Sequence, residues 1–361
     1  MGVISKYKKY LPITDKTPVI SLDEGDTPLI KSRHIYQLVD KHVELYFKYE
    51  GANPTGSFKD RGMTVAVSKA VEEGAKAVIC ASTGNTSASA SAYAVRAGIK
   101  SIVLIPEGSI ALGKLAQAMI HNAKVIAVRG NFDDAFNLVR EIADKHPVTL
   151  VNSVNPYRIE GQKTGSFEIC EYFGDAPQMH CIPVGNAGNI TAYWKGYKEF
   201  YNEKKIKKLP RMLGFQAEGA SPIVQKKIIK NPETIATAIK IGNPASWKQA
   251  EAARDESNGL IDSVTDEQIL GAYKMLAAEE GIFVEPASAA GVAGLLKQSK
   301  QGYIEKCIED AKGKRPFRIV CILTGHGLKD PDMAVKSVAK PVVVDAKIDQ
   351  VLPELKKVNV I

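Results

Sequence analysis

Short runs rich in apolar and β-branched residues punctuate this chain, at 77–81, 101–105, 125–129, 148–152, 179–184, 212–217, 281–285 and 317–323. Most are apolar at consecutive positions. A strand with one wet face alternates apolar and polar residues, whereas a strand covered on both faces does not. The runs therefore predict strands buried inside a parallel sheet. Stretches with helical spacing lie between them, at 63–71, 87–97, 110–121, 133–144, 191–202 and 266–280, and a further strand-like run lies at 45–50. Parallel strands need crossover connections, and helices supply them. The pattern implies an α/β architecture, with parallel-rich twisted sheets flanked by helices. Ligands of such sheets gather beyond the carboxyl ends of the strands, where Gly-rich turns lead into helices. Segments 241–244 and 258–260 read as loops within a domain, and 341–361 as a short strand followed by an amphipathic helix.

Composition narrows the function. At 361 residues, 45% hydrophobic and 24% charged, the chain suits two domains or one large α/β unit. Its net charge is +8, and part of the excess sits in the clusters 204–208 and 226–230, which read as solvated helix ends. Nucleic-acid binding needs a basic stripe interleaved with stacking aromatics, and aromatics are only 7% of the residues, so no nucleic-acid partner is expected. A mild positive field does suit a small anionic substrate. The five cysteines are odd in number and none are spaced as CxxC. They predict buried free thiols in a reducing compartment, not a disulfide or zinc framework. The first residues lack the apolar centre of a signal peptide and miss the myristoylation pattern at Lys6. No apolar run is long enough for a membrane span, and the expected location is the cytoplasm.

Chemistry concentrates in the turns. Asn53-Pro54-Thr55-Gly56-Ser57-Phe58-Lys59-Asp60-Arg61-Gly62 joins a strand-like run to a helical one. Ser57 is a suitable N-cap, which places Lys59 in the first helical turn. The helix dipole disfavours a cation there. Lys59 is then either a solvated surface lysine or an amine that is uncharged or covalently engaged beside an anion site. A second turn, Ser82-Thr83-Gly84-Asn85-Thr86-Ser87, carries more hydroxyls than one cap needs and suits a carboxylate or phosphate cradle. A third, Gly185-Asn186-Ala187-Gly188-Asn189, allows close backbone approach to a phosphate. It is not GxGxxG, and no acidic ribose partner follows it, so a dinucleotide site is not expected. The fourth, Thr324-Gly325-His326-Gly327, closes a strong strand and on its own reads as a structural turn.

Several other chemistries lack their residues. The run 108–115 nearly matches the phosphate loop GxxxxGK[ST], but Leu115 stands where the magnesium-binding hydroxyl belongs. The six histidines form neither HxxxH nor HExxH, so no metal site is expected. No GxSxG elbow is present for a serine hydrolase.

The lysine turn resembles the cofactor-lysine motif of the fold type II pyridoxal-phosphate enzymes, and among them most that of the threonine synthases. The resemblance continues in order through 82–86, Val151-Asn152-Ser153-Val154-Asn155-Pro156-Tyr157-Arg158-Ile159-Glu160-Gly161-Gln162, 185–189, Glu285-Pro286-Ala287-Ser288-Ala289-Ala290 and 324–327. It implies pyridoxal 5'-phosphate as cofactor, with Lys59 as the Schiff-base lysine and later proton carrier. It implies that Gly185, Asn186, Ala187, Gly188 and Asn189 hold the cofactor phosphate. Asn85 meets the pyridine 3-hydroxyl oxygen, and Thr324 meets the pyridine nitrogen. A neutral hydroxyl at that nitrogen does not force protonation of the ring as an aspartate does, which favours elimination and replacement chemistry.

The reaction implied converts O-phospho-L-homoserine and water to L-threonine and phosphate, by γ-elimination and β-addition. Arg158 is suited to a bidentate contact with the substrate phosphate, with Asn152, Ser153 and Thr86 as companions. The resemblance implies that Ser82 and Thr83 take the substrate carboxylate. A threonine or serine dehydratase is the alternative within the family. Asp60, the 185–189 loop and Arg158 argue against it. The resemblance further implies a small mobile domain, 55–148, a large cofactor-binding domain, 1–54 and 149–361, and a homodimer.

Overall fold

The computed structural model describes residues 1–107, 112–311 and 316–357, the side chains of 112–114 excepted. The near phosphate loop falls largely outside these residues; its Leu115 is buried in an apolar core.

Two sheets organise residues 1–330, which form one compact unit. The larger contains β1 (Leu29–Lys31), β2 (Val43–Tyr49), β7 (Met179–Pro183), β8 (Arg211–Ala217), β9 (Leu260–Val264) and β10 (Phe317–Leu323), in the order β1-β2-β10-β7-β8-β9. Only β1 runs antiparallel to its neighbour. The smaller sheet contains β3 (Ala77–Ala81), β4 (Lys100–Pro106), β5 (Lys124–Val128) and β6 (Val148–Leu150), all parallel, in the order β5-β4-β3-β6.

The continuously apolar runs are explained by cover on both faces. Along β10, Phe317, Ile319, Cys321 and Leu323 enter one core, with Ala289, Val292 and Leu295 of the helix Pro286–Lys300. Val320 and Ile322 enter the other, with Ile190, Tyr193 and Tyr197 of the helix Gly188–Asn202. In the smaller sheet Val78 and Cys80 pack with Met63, Ala66 and Val67 of the helix Lys59–Glu72, while Ile79 and Ala81 pack with Ala135 and Val139 of the helix Phe132–Lys145. All five cysteines are buried free thiols.

Two expectations differ, and two strands, β1 and β9, were not expected. Residues 281–285 form no strand; Val284 makes a single bridge to His326, because Gly281 turns the chain at φ 71° and Glu285 already caps the next helix. The edge strands β1 and β9 are partly exposed, so Leu260–Val264 breaks its apolar run with Asp262 and Ser263. No strand forms between 341 and 347, although the expected helix does, at Ile348–Lys357. In that C-terminal unit, Pro331–Ile361, the helix leaves Ile348, Val351, Leu352 and Leu355 exposed along one stripe.

The strand order positions the chemistry. β2, β10 and β7 are neighbours, and their carboxyl ends are nearly flush: Tyr49 pairs with Leu323, and Cys321 with Cys181. The chain leaves these three ends towards Lys59, Thr324 and the loop 185–189. β3 and β6, neighbours in the smaller sheet, lead into the turn 82–86 and the segment 151–158.

Candidate active site

Lys59 lies in the first turn of its helix, as expected, and is its first residue, because the cap falls one residue later than Ser57. Phe58, already in helical conformation, occupies that place without a side-chain bond. Ser57 sits one step earlier, its hydroxyl 3.4 Å from Lys59 N. The turn is sewn to the end of β10: Phe58 N donates to Thr324 O at 3.1 Å, His326 N donates to Gly56 O at 2.9 Å, and Ser57 bridges Gly325. Gly56 needs its φ of 85°, a conformation glycine adopts without the penalty of a Cβ. His326 is a structural member of this joint, its Nδ1 accepting from Leu328 N at 3.0 Å.

Asp60 braces the turn from within. Its carboxylate accepts from Thr55 N at 2.7 Å, Thr55 Oγ1 at 2.6 Å and Ser89 Oγ at 2.6 Å. Burial nevertheless raises its pKa to about 6, against those bonds. Arg61 is fully buried and forks onto two carboxylates. Its Nε donates to Glu50 Oε2 at 2.7 Å and its Nη1 to Glu168 Oε1 at 2.6 Å; Lys48 adds a 2.6 Å bond to Glu168. Two cations and two anions thus close a neutral cluster beneath the helix start.

No hydrogen bond or ion pair reaches the Lys59 ammonium among the described residues; it lies 3.7 Å from the centre of the Phe58 ring. Its pKa falls to about 7, chiefly through burial, then through repulsion from Arg158, against the pull of Glu285. The odd charge placement in the sequence resolves into an amine that loses its proton near neutral pH, and the neutral form is the one that attacks a carbonyl.

Arg158 is the second unbalanced group. It is 2% exposed, its Nη1 donates to Val151 O at 3.1 Å, its Nε has no partner, and no carboxylate pairs with it among the described residues. Its pKa drops to about 10 through burial. A buried guanidinium with a free donor is a site built for an anion. Two glycines bring it close to Lys59. A Cβ at Gly161 would lie 1.8 Å from Arg61 O, and one at Gly62 would lie 2.8 Å from Arg158 O. The helices Lys59–Glu72 and Pro156–Gln162 therefore cross backbone to backbone.

The remaining predicted residues divide by how far their groups are already engaged. Ala187 takes the left-handed conformation, φ 63°, directly before the helix Gly188–Asn202, and Gly185 packs where a Cβ would meet Ile239 Cα at 2.9 Å. Such a turn points successive N–H groups at one spot. Asn189 Oδ1 is buried without a partner, while its Nδ2 donates to Gln162. Asn186 joins the loop to its surroundings through Ser153 Oγ and Ala245 N. Asn152 commits both ends of its amide to Ala81, at 2.9 Å each. Ser82 Oγ accepts from Gly84 N at 3.2 Å, and Ser82, Thr83 and Thr86 are partly exposed at the start of the helix Asn85–Arg96. Its first amides have no intrahelical acceptors. Asn85 and Thr324, from different sheets' strand ends, both contact Glu285.

Glu285 carried no role in the sequence reading. Its signal was there: glutamate is a poor N-cap beside Ser, Thr, Asp or Asn, yet it stands at the cap before Pro286.

Comparison with known proteins identifies the chemistry. The profile of the family described as pyridoxal-phosphate dependent enzyme matches residues 20–325. The threonine synthase of Halalkalibacterium halodurans is 59% identical, over 93% of this chain and 92% of its own. The chain belongs to the threonine synthase family of pyridoxal-phosphate dependent enzymes. The Synechocystis sp. threonine synthase is 58% identical, over 96% of this chain and 88% of its own. Among solved structures, maize serine racemase superposes with a TM-score of 0.73 over 89% of this chain and 94% of its own; at 22% identity it shows the shared fold.

The cofactor of this family is pyridoxal 5'-phosphate, and the residues present fit it. A lysine whose pKa lies at about 7 has a ready fraction of neutral amine to hold the cofactor's aldehyde carbon. The amide-rich turn at 185–189, with Ala187 in the left-handed conformation at the start of its helix, suits a phosphate.

Proposed function

We propose that this member of the threonine synthase family converts O-phospho-L-homoserine and water to L-threonine and phosphate. The observation that carries the reading is Arg158: a buried guanidinium without a carboxylate partner among the described residues, close enough to Lys59 to depress its pKa. A dehydratase substrate brings one carboxylate to the site; a phosphorylated substrate brings a second, dianionic group that such a residue can hold. Relatives named threonine synthase at 52–59% identity support the same reading.

The chain's residues divide the work. Lys59 would hold the cofactor at its aldehyde carbon and would take the proton from the substrate Cα. The turn Gly185, Asn186, Ala187, Gly188 and Asn189 holds the cofactor phosphate. Asn85 meets the 3-hydroxyl oxygen and Thr324 the pyridine nitrogen. Ser82, Thr83 and the first amides of their helix hold the substrate carboxylate. Arg158, with Thr86 and Ser153 as companions, holds the substrate phosphate; Asn152, bonded to Ala81 through both ends of its amide, keeps the end of β3 in place for them. When bound, the cofactor withdraws electrons from the substrate and so makes loss of protons beside its amine feasible.

The reading includes closure of a small domain, 55–148, over the remainder, which excludes water until it is needed. It also includes a homodimer, which the resemblance suggests and sedimentation tests, and a cytoplasmic location, which the five free thiols suit.

The deciding experiment incubates purified, cofactor-loaded protein with O-phospho-L-homoserine and, separately, with threonine. Stoichiometric phosphate and threonine from the first are expected. Ketoacid from threonine with no phosphate from phosphohomoserine refutes the reading in favour of a dehydratase.

A further inference from the structure

Glu285 links the two residues read as contacts to the cofactor ring. It is 4% exposed. Its Oε2 accepts from Asn85 Nδ2 at 2.9 Å, and its Oε1 lies 3.2 Å from Thr324 Oγ1. Thr324 Oγ1 has a second neighbour, Ser288 Oγ, at 3.0 Å. Ser288 is itself engaged with Gly325, accepting from its N at 3.0 Å and lying 3.2 Å from its O.

A threonine hydroxyl has one proton to give. When Glu285 is ionised, that proton is drawn to the carboxylate, and Thr324 offers a lone pair to whatever lies beyond it. When Glu285 is neutral, its own proton can go to Thr324 Oγ1, and the threonine proton is released to point elsewhere. Thr324 alone is indifferent; the group behind it chooses the direction.

We propose that Glu285 is a positioning residue that, through the Thr324 hydroxyl, shares one proton with the pyridine nitrogen of the cofactor. The proposal rests on the reading of Asn85 and Thr324 as ring contacts. The proton count balances: Glu285 gives its proton to Thr324 Oγ1, Thr324 gives its own to the ring nitrogen, the carboxyl becomes a carboxylate and the ring becomes a pyridinium. The electron-withdrawing strength of the ring then depends on a buried carboxyl and not on a neutral hydroxyl alone.

The surroundings suit a shared proton. Glu285 is faced by the Asn85 amide from the helix Asn85–Arg96, by Lys59 from the helix Lys59–Glu72, and by Thr324 and Lys329 from the segment after β10. Burial favours its neutral form; Asn85, both lysines and Thr324 favour the carboxylate. Burial prevails, and the Glu285 pKa is raised from that of an ordinary glutamate.

The test loads the protein with pyridoxal 5'-phosphate labelled with nitrogen-15 in the ring and reads the ring-nitrogen resonance, which differs between pyridine and pyridinium. In Glu285→Gln the amide oxygen can stay on Asn85 and the NH2 can face Thr324, so the hydrogen bonds persist but the exchangeable proton is gone. Its resonance is expected to move towards the neutral pyridine position. A resonance unchanged from wild type overturns the proposal. Ser288→Ala leaves Glu285 as the protein partner of Thr324; it should hold the wild-type position or move towards pyridinium, and a move towards neutral pyridine overturns the proposal even if the Gln variant does not load. Thr324→Ala separates the two readings. If it leaves the resonance unmoved, the placement of the ring has failed; if it moves the resonance while Glu285→Gln does not, the role of Glu285 alone has failed.

Discussion

At the scale of single residues the site is built from groups kept out of electrostatic balance. Lys59 has no counterion among the described residues, and its pKa of about 7 makes the capture of cofactor pH-dependent. The rate at which cofactor-free protein attaches pyridoxal phosphate is expected to rise with pH up to about 7 and to level off above it, followed by the growth of the visible absorption band. The linked effect on stability has a fixed sign. An unfolded lysine keeps its proton to about 10.5, so between about 7 and 10.5 the unfolded chain binds more protons than the folded one. Cofactor-free wild type should therefore gain more stability across that window than Lys59→Met, measured by thermal midpoints. Arg158 supplies the second test. Replacing it by Gln removes charged hydrogen bonds worth about 1.5–3 kcal/mol each, so kcat/KM for O-phospho-L-homoserine should fall at least about tenfold. Cofactor absorption should be little changed, and retention of full kcat/KM would remove the phosphate role. Lys59 and Arg158 were both visible in the sequence because each breaks a local habit or stands in a motif. Glu285 was harder to see because its importance lies in contacts to Asn85 and Thr324, 200 and 39 residues away.

At the scale of elements, what fixes these residues is mostly close packing. The crossing of the helices Lys59–Glu72 and Pro156–Gln162 depends on Gly62 and Gly161. Gly161→Ala puts a methyl 1.8 Å from a backbone oxygen that has no side-chain freedom to move away. The helices must separate, carrying Arg158 away from Lys59. A lower thermal midpoint and a raised KM for the phosphorylated substrate are expected together; a raised KM is the part that a purely structural defect elsewhere would not give. Beneath the crossing, the Arg61 cluster should show itself in acid. Burial alone would raise the Glu168 pKa, but Arg61 and Lys48 bring it to about 2. The stability it contributes is complete above its ordinary value of 4.5 and is lost as pH falls towards about 2. Arg61→Ala strands buried carboxylates and should cost about 3–5 kcal/mol at neutral pH, read by denaturant unfolding. It should also flatten the acid limb of the stability profile. The legibility of elements followed the same logic. Strands such as β10 and β3 were readable because both faces are covered. β1 and β9 were not, because β1 is only three residues long and β9 carries Asp262 and Ser263 among its five, and the apolar run at 281–285 serves as a cap and a bridge without a ladder. The crossing itself left only two glycines in the sequence, with nothing to say that they face each other.

At the scale of the whole molecule, the functional parts come from segments far apart in the chain, joined through few direct bonds. Lys59, the 185–189 loop and Thr324 leave adjacent strands of the larger sheet, while Asn85, the 82–86 turn and the segment 151–158 leave adjacent strands of the smaller one. Asn85 meets the larger sheet's strand end through Glu285, and Ser153 meets the loop through Asn186. A cofactor bonded to Lys59 and held at its phosphate and ring would add further ties between the two sheets. A ligand bound only by the folded state stabilises it by mass action, by about 2.7 kcal/mol at one hundred times its dissociation constant. Removing pyridoxal phosphate should therefore lower the thermal midpoint. It should also speed proteolysis most in the turn 82–86 and in the loop 185–189, because these segments lose a partner while the β-sheet cores do not. Adding the cofactor back should restore both, and Lys59→Ala should recover only the share contributed by the phosphate and ring contacts. If removal accelerated cleavage evenly along the chain, the cofactor would be supporting the global fold and not the joint between the two sheets.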